Sequence, residues 1–313
     1  MIAFILKRVV SGIGLLVAIS TIAYLLIFSS STNIALNILG QDATDEQILA
    51  KQQELGLNRP IFERYFDWLS NAISGDFGNS WFNSEPVVSA IFNRLPITLT
   101  IVTFAMAIAA TFAILLGTVA AIKGGWIDRA VQFMAIAGFA IPGFLLAIIL
   151  VTFLAIRTQL LPATGWVSFA EDPANWSRSL ILPVVSLVLA TVASAAQQIR
   201  SAVKGVIERD FVRTLTSRGI PRKEIIFKHV LRAAAPAGLT VLSLQFVGML
   251  GGSVIIEKIF ALPGMGELAV NATTQGDTPV VMGVVVYTVI IVIFVNLIVD
   301  LLNGWLNPKV RLA

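Results

Sequence analysis

Six stretches of the chain contain no Asp, Glu, Lys or Arg and are long enough to cross a bilayer: 9–41, 95–122, 130–156, 179–199, 233–256 and 278–299. The apolar part of the first ends near Phe28. A span needs ~20 mainly apolar residues, and a charge at mid-bilayer costs roughly 2.5–3.5 kcal/mol on insertion scales. The pattern therefore predicts six transmembrane helices. The polar intervals have their own periodicity. Between the first two runs, "DATDEQILAKQQELGL" reads as a helix capped by Thr44 or Asp45, with Ile48, Leu49, Leu55 and Leu57 on an apolar face. A second, aromatic-rich helix follows around "IFERYFDWLSNAI", then a turn-rich piece, "SGDFGNSWFNSEP". Phe77, Trp81 and Phe82 read as exposed rings there, and such rings anchor protein interfaces. The bland alternative is an outer cap with no partner.

The interval between the fourth and fifth runs is patterned as well. Val203, Val206, Ile207, Phe211 and Leu215 fall near three-four spacing, one apolar stripe on a helix continuing from the fourth span. Asp210 and Arg213 lie on other faces. Gly219 permits a left-handed terminus, and Pro221 suits the first turn of a new helix. That helix places Ile226, Val230 and Ala233 together, with Phe227 beside them. A helix, a sharp break and a second amphipathic helix fit three uses: a pair lying on anionic lipid, a self-packed cap, or an element docking into a partner's groove.

Composition agrees with the membrane reading. Hydrophobic residues make up 57% of the 313, and charged residues 13%, against about a quarter in soluble domains. No cysteine is present, which excludes disulfides, thiolate metal sites and a cysteine nucleophile. The net charge of +4 is explained by where the charges sit. With both termini inside, the inner segments hold Lys7, Arg8, Lys123, Arg129, nine basic residues from Arg200 to Arg232, Lys309 and Arg311; the outer segments hold seven basic and thirteen acidic residues. This positive-inside bias sets the expected topology, with no need for nucleic-acid binding. Lys7-Arg8 and the run behind them resemble a signal peptide, but the run exceeds the ~7–15 apolar residues of such a peptide's core, so a retained first span is expected.

Candidate chemistry is sparse. There is no Gly-Lys-Ser/Thr phosphate loop, no Gly-x-Ser-x-Gly elbow, and a single histidine, His229. Glu257 and Asp300 stand at span edges, so a proton relay through span centres is not indicated. "GFAIPGFLL" contains Pro142, followed by Phe144; this proline frees a carbonyl and bends the third span, as a packing kink or as a pathway-lining hinge. Gln245 and Ser253, polar groups at membrane depth, either line a solute path or bond across helices. Gly248 and Gly252, four apart, allow close helix approach. Pro142, Phe144, Gln245, Ser253 and Glu257 are the candidates for a translocation path or gate.

One set of residues carries a resemblance. Arg213, Thr214, Gly219, His229, Leu231, Arg232, Ala234 and Pro236 stand as in the cytoplasmic loop of permease subunits of binding-protein-dependent ABC importers, peptide/nickel branch. Leu215 replaces a usual small residue and Thr216 a usual basic one. "ELGLNRPIFERYFDWLSNAISGDFGNSW", "RLPITLTI", "IIEKIFALPGMGELAV", "DTPVVMGVVV" and "NLIVDLLNGWLNPKVR" resemble further segments of that family in the same order, so the likeness covers nearly the whole chain. It implies an all-α integral membrane protein with six transmembrane helices, the last five forming a type I importer core, and a long structured extracytoplasmic segment after the first. Residues 1–94 would be the first helix plus that segment, 95–305 the five-helix core containing an ATPase-coupling loop at 203–236, and 306–313 a cytoplasmic tail. It also implies a bacterial or archaeal cytoplasmic membrane, a second permease subunit, two ATPase subunits that bind the ATP and Mg, and an extracytoplasmic solute-binding protein. The chain itself would hold no cofactor or metal and catalyse nothing. Asp210, Arg213, Thr214, Leu215, Arg218, Gly219, Ile220 and Pro221 would form the coupling element, and Phe77, Trp81 and Phe82 the binding-protein contact. The implied cargo is a di- or oligopeptide, with nickel, glutathione or another small solute as alternatives within the family. A free-standing channel or secondary carrier, or an intramembrane enzyme, are the alternatives outside it.

Overall fold

A computed structural model describes residues 2–29 and 34–306. The expected tail, with Lys309 and Arg311, lies outside the described residues. The elements run α1 (Ile2–Ser29), α2 (Ile34–Leu39), α3 (Asp45–Glu54), α4 (Ile61–Ile73), α5 (Val87–Lys123), α6 (Gly125–Ala140), α7 (Gly143–Leu150) with a π-helical continuation Val151–Arg157, α8 (Pro173–Ile207), α9 (Asp210–Ser217), α10 (Arg222–Glu224) with a π-helical stretch Ile225–Val230, α11 (Leu231–Ile259), α12 (Met265–Gln275) and α13 (Thr278–Leu306). Within the described residues five continuous helices are long and apolar enough to cross a membrane: 5–27, 87–123, 173–207, 222–259 and 278–306. The remaining expected span, 130–156, is a helix pair, 125–138 and 143–157, bent by 89°.

That bend is sharper than the proline kink the sequence suggested. Ile141 leaves α6 in an extended conformation, and Pro142 stands at the N-cap of α7. A proline bars its predecessor from helical backbone, so the helix stops and restarts.

The described residues gather into two units: 1–97 with 263–294, and 98–262 with 295–306. In the first, Phe77, Val87, Ile91, Met265, Leu268 and Val280 form the core. Beside it Tyr24, Tyr65 and Met282 pack together, and the Ser20 and Tyr65 hydroxyls share a hydrogen bond of 3.0 Å. The outer helices follow the sequence closely. Thr44 closes a capping box with Gln47 at the start of α3, and α4 spans the aromatic-rich segment. The apolar face expected on α3 stays outside the core: no residue of that helix is buried, and Leu49 is exposed.

The second unit is organised around α8, on which α6, α7 and α11 pack. Small residues set these approaches. A Cβ at Gly117 would lie 2.6 Å from the Ala196 carbonyl oxygen, and one at Gly143 3.0 Å from the Ala190 Cβ. The Gly248/Gly252 pair does not play the part expected of it: nothing lies within 4 Å of a Cβ at Gly248, and only Leu187 at 3.8 Å from one at Gly252. Spacing puts two glycines on one face, but a close approach also needs a helix opposite that face.

Candidate coupling and transport site

The 208–230 segment departs from the expected continuous helix. α8 ends at Ile207, and Arg209, with extended backbone, starts the separate helix α9. The apolar stripe survives the break except at Phe211, which is exposed and gives its place to Val212. Val203 and Val206 are buried, and Ile207, Val212, Leu215 and Ile220 pack against the same core, which includes Ala196, Ile199, Ile225 and Val230. The opposite face is open: Asp210, Arg213, Thr214 and Arg218 are exposed. Asp210 and Arg213 approach to 3.8 Å on that face, an exposed pair of small energetic weight.

Gly219 ends α9 as the sequence suggested. Its φ is +79°. Its N–H donates to the Thr216 carbonyl at 3.0 Å, and the Ile220 N–H donates to the Leu215 carbonyl at 3.3 Å. This is a Schellman closure, with Leu215 and Ile220 as its apolar clasp. Pro221 falls at the N-cap of α10, one residue ahead of the first turn expected for it. The following stripe is shifted: Ile225, Ile226, Val230 and Ala234 are buried, while Ala233 is exposed. The π-helical stretch adds a residue per turn, so the face predicted with α-helical spacing slips by one position.

Polar contacts join α6 to α8 and tie the segment to α5. Arg200 donates through Nε and Nη2 to both oxygens of Asp128, the Nη2 bond at 2.6 Å, and both side chains are largely enclosed. Arg222 donates to the Ile122 carbonyl at 3.3 Å. A bidentate arginine–carboxylate pair fixes orientation as well as distance, so the ends of α6 and α8 move together. Nothing local in the chain signals this pairing, because the partners are 72 residues apart.

The intramembrane candidates separate into two groups. Pro142 and Phe144 are exposed. Ser253 and Glu257, one turn apart on α11, are fully buried. Ser253 donates to the Leu250 carbonyl, and Glu257 accepts a 2.6 Å hydrogen bond from Thr98. Gln245 lies half-buried and donates to Ser194 on α8 at 3.1 Å.

In the outer segment, Phe77 is buried against Trp68 and Tyr287. This corrects the exposure expected of it: the turn-rich composition hid a ring that the core takes in. Trp81 and Phe82 are half-buried. They sit in a tight loop closed by Ser80 N–H to Glu85 O at 2.9 Å and Val87 N–H to Gly78 O at 3.0 Å. The loop is fastened by a residue that the sequence reading did not single out. Asp277, 2% exposed, accepts from the Ser80 hydroxyl at 2.5 Å and from the Trp81 N–H at 3.2 Å. Its position just before α13, in "GDTP", is the cap signature that could have drawn attention to it.

Burial pushes the Asp277 carboxyl above the ordinary aspartate range, while its hydrogen bonds to Ser80, Trp81 and Val280 pull the other way. A raised carboxyl holds its proton more tightly in the folded state. Its stabilising contribution is complete below the ordinary aspartate value of about 3.9 and is lost as pH rises through the folded value. Acidification from about pH 7 toward about pH 4 is therefore expected to raise the melting temperature of the wild type relative to Asp277→Asn. Parallel melting curves across that range would remove Asp277 as the source.

Comparison with known proteins places these features. Residues 113–312 match the family described as binding-protein-dependent transport system inner membrane component, and residues 1–102 match the N-terminal part of such components. A protein of Brucella abortus named as a peptide transport system permease is 36% identical over 99% of each chain. One of Sinorhizobium fredii, named as a peptide ABC transporter permease, is 33% identical over 98% of this chain and 99% of the relative. The glutathione transport system permease GsiC of Escherichia coli K12 is 31% identical over 99% of each. With its apolar helices and a match spanning both parts of the chain, this protein belongs to the family of binding-protein-dependent transport system inner membrane components.

Proposed function

We propose that the chain is the non-catalytic permease subunit of an ATP-driven importer, forming half of an alternating-access path for di- or oligopeptides. ATP and Mg are held by two partner ATPase subunits, and a second permease completes the path. A solute-binding protein delivers cargo at the outer face, and both termini lie in the cytoplasm. The observation that carries this reading is α9: a short helix seated by Leu215 and Ile220 on the unit's core, with Asp210, Arg213, Thr214 and Arg218 turned out and its end fixed by Gly219 and Pro221. A rigid, outward-facing helix of this kind suits a partner groove and transmits force because its base is packed and pinned. The names of the relatives support peptide cargo; the glutathione permease supports a short peptide-like solute in the same path. Pro142 and Phe144, at the break of a span, are the path-side candidates. Gln245 and Glu257 act through the bonds that tie α11 to α8 and α5, and Ser253 bonds within α11.

Two measurements test this reading. Ser84 and Ser217 are exposed and the chain has no cysteine, so Ser84→Cys and Ser217→Cys report sidedness. Impermeant maleimide added outside should label only the first; labelling of Ser84→Cys from inside alone would reverse the topology. The assembled complex in liposomes should take up a labelled tripeptide only with both ATP and binding protein. Trp81→Ala/Phe82→Ala should lower that uptake several-fold when binding protein is scarce and less when it saturates. Equal uptake in both regimes would return the outer loop to a cap without a partner.

A further inference from the structure

A cleft of about 720 Å³ opens where α5 ends and α6 begins, bounded on its other side by α10. Its lining includes Lys123, Arg222 and Lys223 and no carboxylate. The acidic residue in the first turn of α6, Asp128, is taken up by Arg200. The floor is the turn Gly124-Gly125, with φ of +61° and +62°, which leads into α6 without a side-chain cap on its first turn. First-turn N–H groups together with three cations form a surface for phosphate oxygens. Trp126 is 78% exposed at the rim, and tryptophan settles at headgroup level. Depth agrees with this: along α6 the exposed apolar side chains Phe133 and Ile136 begin about 10 Å beyond Trp126 at 1.5 Å per residue.

We propose that this cleft binds the headgroup phosphate of an anionic phospholipid. Lys123, Arg222, Lys223 and the start of α6 take the phosphate, and Trp126 lies beside the glycerol backbone. The inference needs only the membrane-spanning helices, so it stands or falls separately from the peptide and ATPase readings. Because Arg222 also bonds the Ile122 carbonyl, a lipid seated here would brace the base of the loop that carries α9.

The test uses the full chain in detergent micelles doped with phosphatidylglycerol or phosphatidylcholine of matched acyl chains, with bound lipid counted by native mass spectrometry. Phosphatidylglycerol should be retained at least about tenfold better. The variant Lys123→Gln/Arg222→Gln/Lys223→Gln should retain the two lipids equally, since each cation near a lipid surface is worth about fivefold and three together exceed the preference. Its retention of phosphatidylcholine should not change. Arg209→Gln/Arg213→Gln/Arg218→Gln, which removes as many charges from the same loop outside the cleft, should keep the preference. If the cleft variant does not accumulate, Lys123→Gln alone should show a fall of about fivefold. Equal retention of both lipids by the wild type, or equal loss in the two triple variants, would overturn the site in favour of none or of diffuse attraction. Protection of Trp126 from modification by the ATPase subunits alone, without lipid preference, would assign the cleft to protein contact.

Discussion

Gly219→Val is expected to leave the protein inserted and assembled while lowering the response of ATP hydrolysis to loaded binding protein, and with it uptake, by roughly 5- to 150-fold. The residue has φ of +79°, and nothing lies within 4 Å of a Cβ placed there. The penalty therefore comes from the backbone alone, roughly 1–3 kcal/mol for a β-branched side chain in the left-handed region. The spans supply the energy of insertion, and the loop contributes little to it. The strain acts on the Schellman closure, whose two hydrogen bonds and Leu215–Ile220 clasp hold the angle between α9 and the helix that becomes α11. A cost of that size reduces the docking-competent population by a factor of roughly 5 to 150. Gly219→Asn should be milder, because asparagine tolerates the left-handed region. Arg213→Ala should be milder still, since its partner Asp210 is exposed and 3.8 Å away. The readout is binding-protein-stimulated ATPase activity of the reconstituted complex beside tripeptide uptake. Normal stimulation and uptake in Gly219→Val would take the loop out of the transmission path.

Gly117→Val should have the largest effect on stability. A Cβ at this position lies 2.6 Å from the Ala196 carbonyl oxygen and 3.0 Å from the Arg200 nitrogen. Both are backbone atoms of α8, so no rotamer change relieves the overlap and the two helices must part. Overpacking where side chains can yield costs about 1–3 kcal/mol; here the cost should be about 3 kcal/mol or more, and parting the helices would also disturb the nearby Arg200–Asp128 pair. The expected result is a large fall in melting temperature and in the monodisperse fraction after solubilisation. Shortening the facing side chain, Ala196→Gly, should not restore it. Gly143→Ala provides the contrast: its new Cβ meets the Ala190 Cβ at 3.0 Å, and Ala190→Gly should rescue it. Wild-type stability in Gly117→Val would show that α5 and α8 do not depend on this approach.

The sequence by itself determined the membrane class, the apolar runs, the family, the cap of α3 and the glycine that ends α9. Each of these rests on local chemistry: charge exclusion from hydrocarbon, a capping box between neighbours in sequence, a left-handed turn that glycine adopts at little cost. The amphipathic stripe was legible at Val203, Val206, Ile207 and Leu215, but the restart at Arg209 put Val212 on the core and left Phe211 exposed. The tertiary structure decided what depends on a facing surface or on distant partners. It broke the helix at Glu208–Arg209, moved the stripe from Ala233 to Ala234 through a π-helical stretch, and took Phe77 into the core. It replaced the Gly248/Gly252 approach with Gly117 and Gly143, for which α8 supplies the opposing wall. Asp277 with Ser80, 197 residues apart, and Asp128 with Arg200 became sites only on folding, since periodicity reports which face a residue occupies and carries no information about what is brought to meet it.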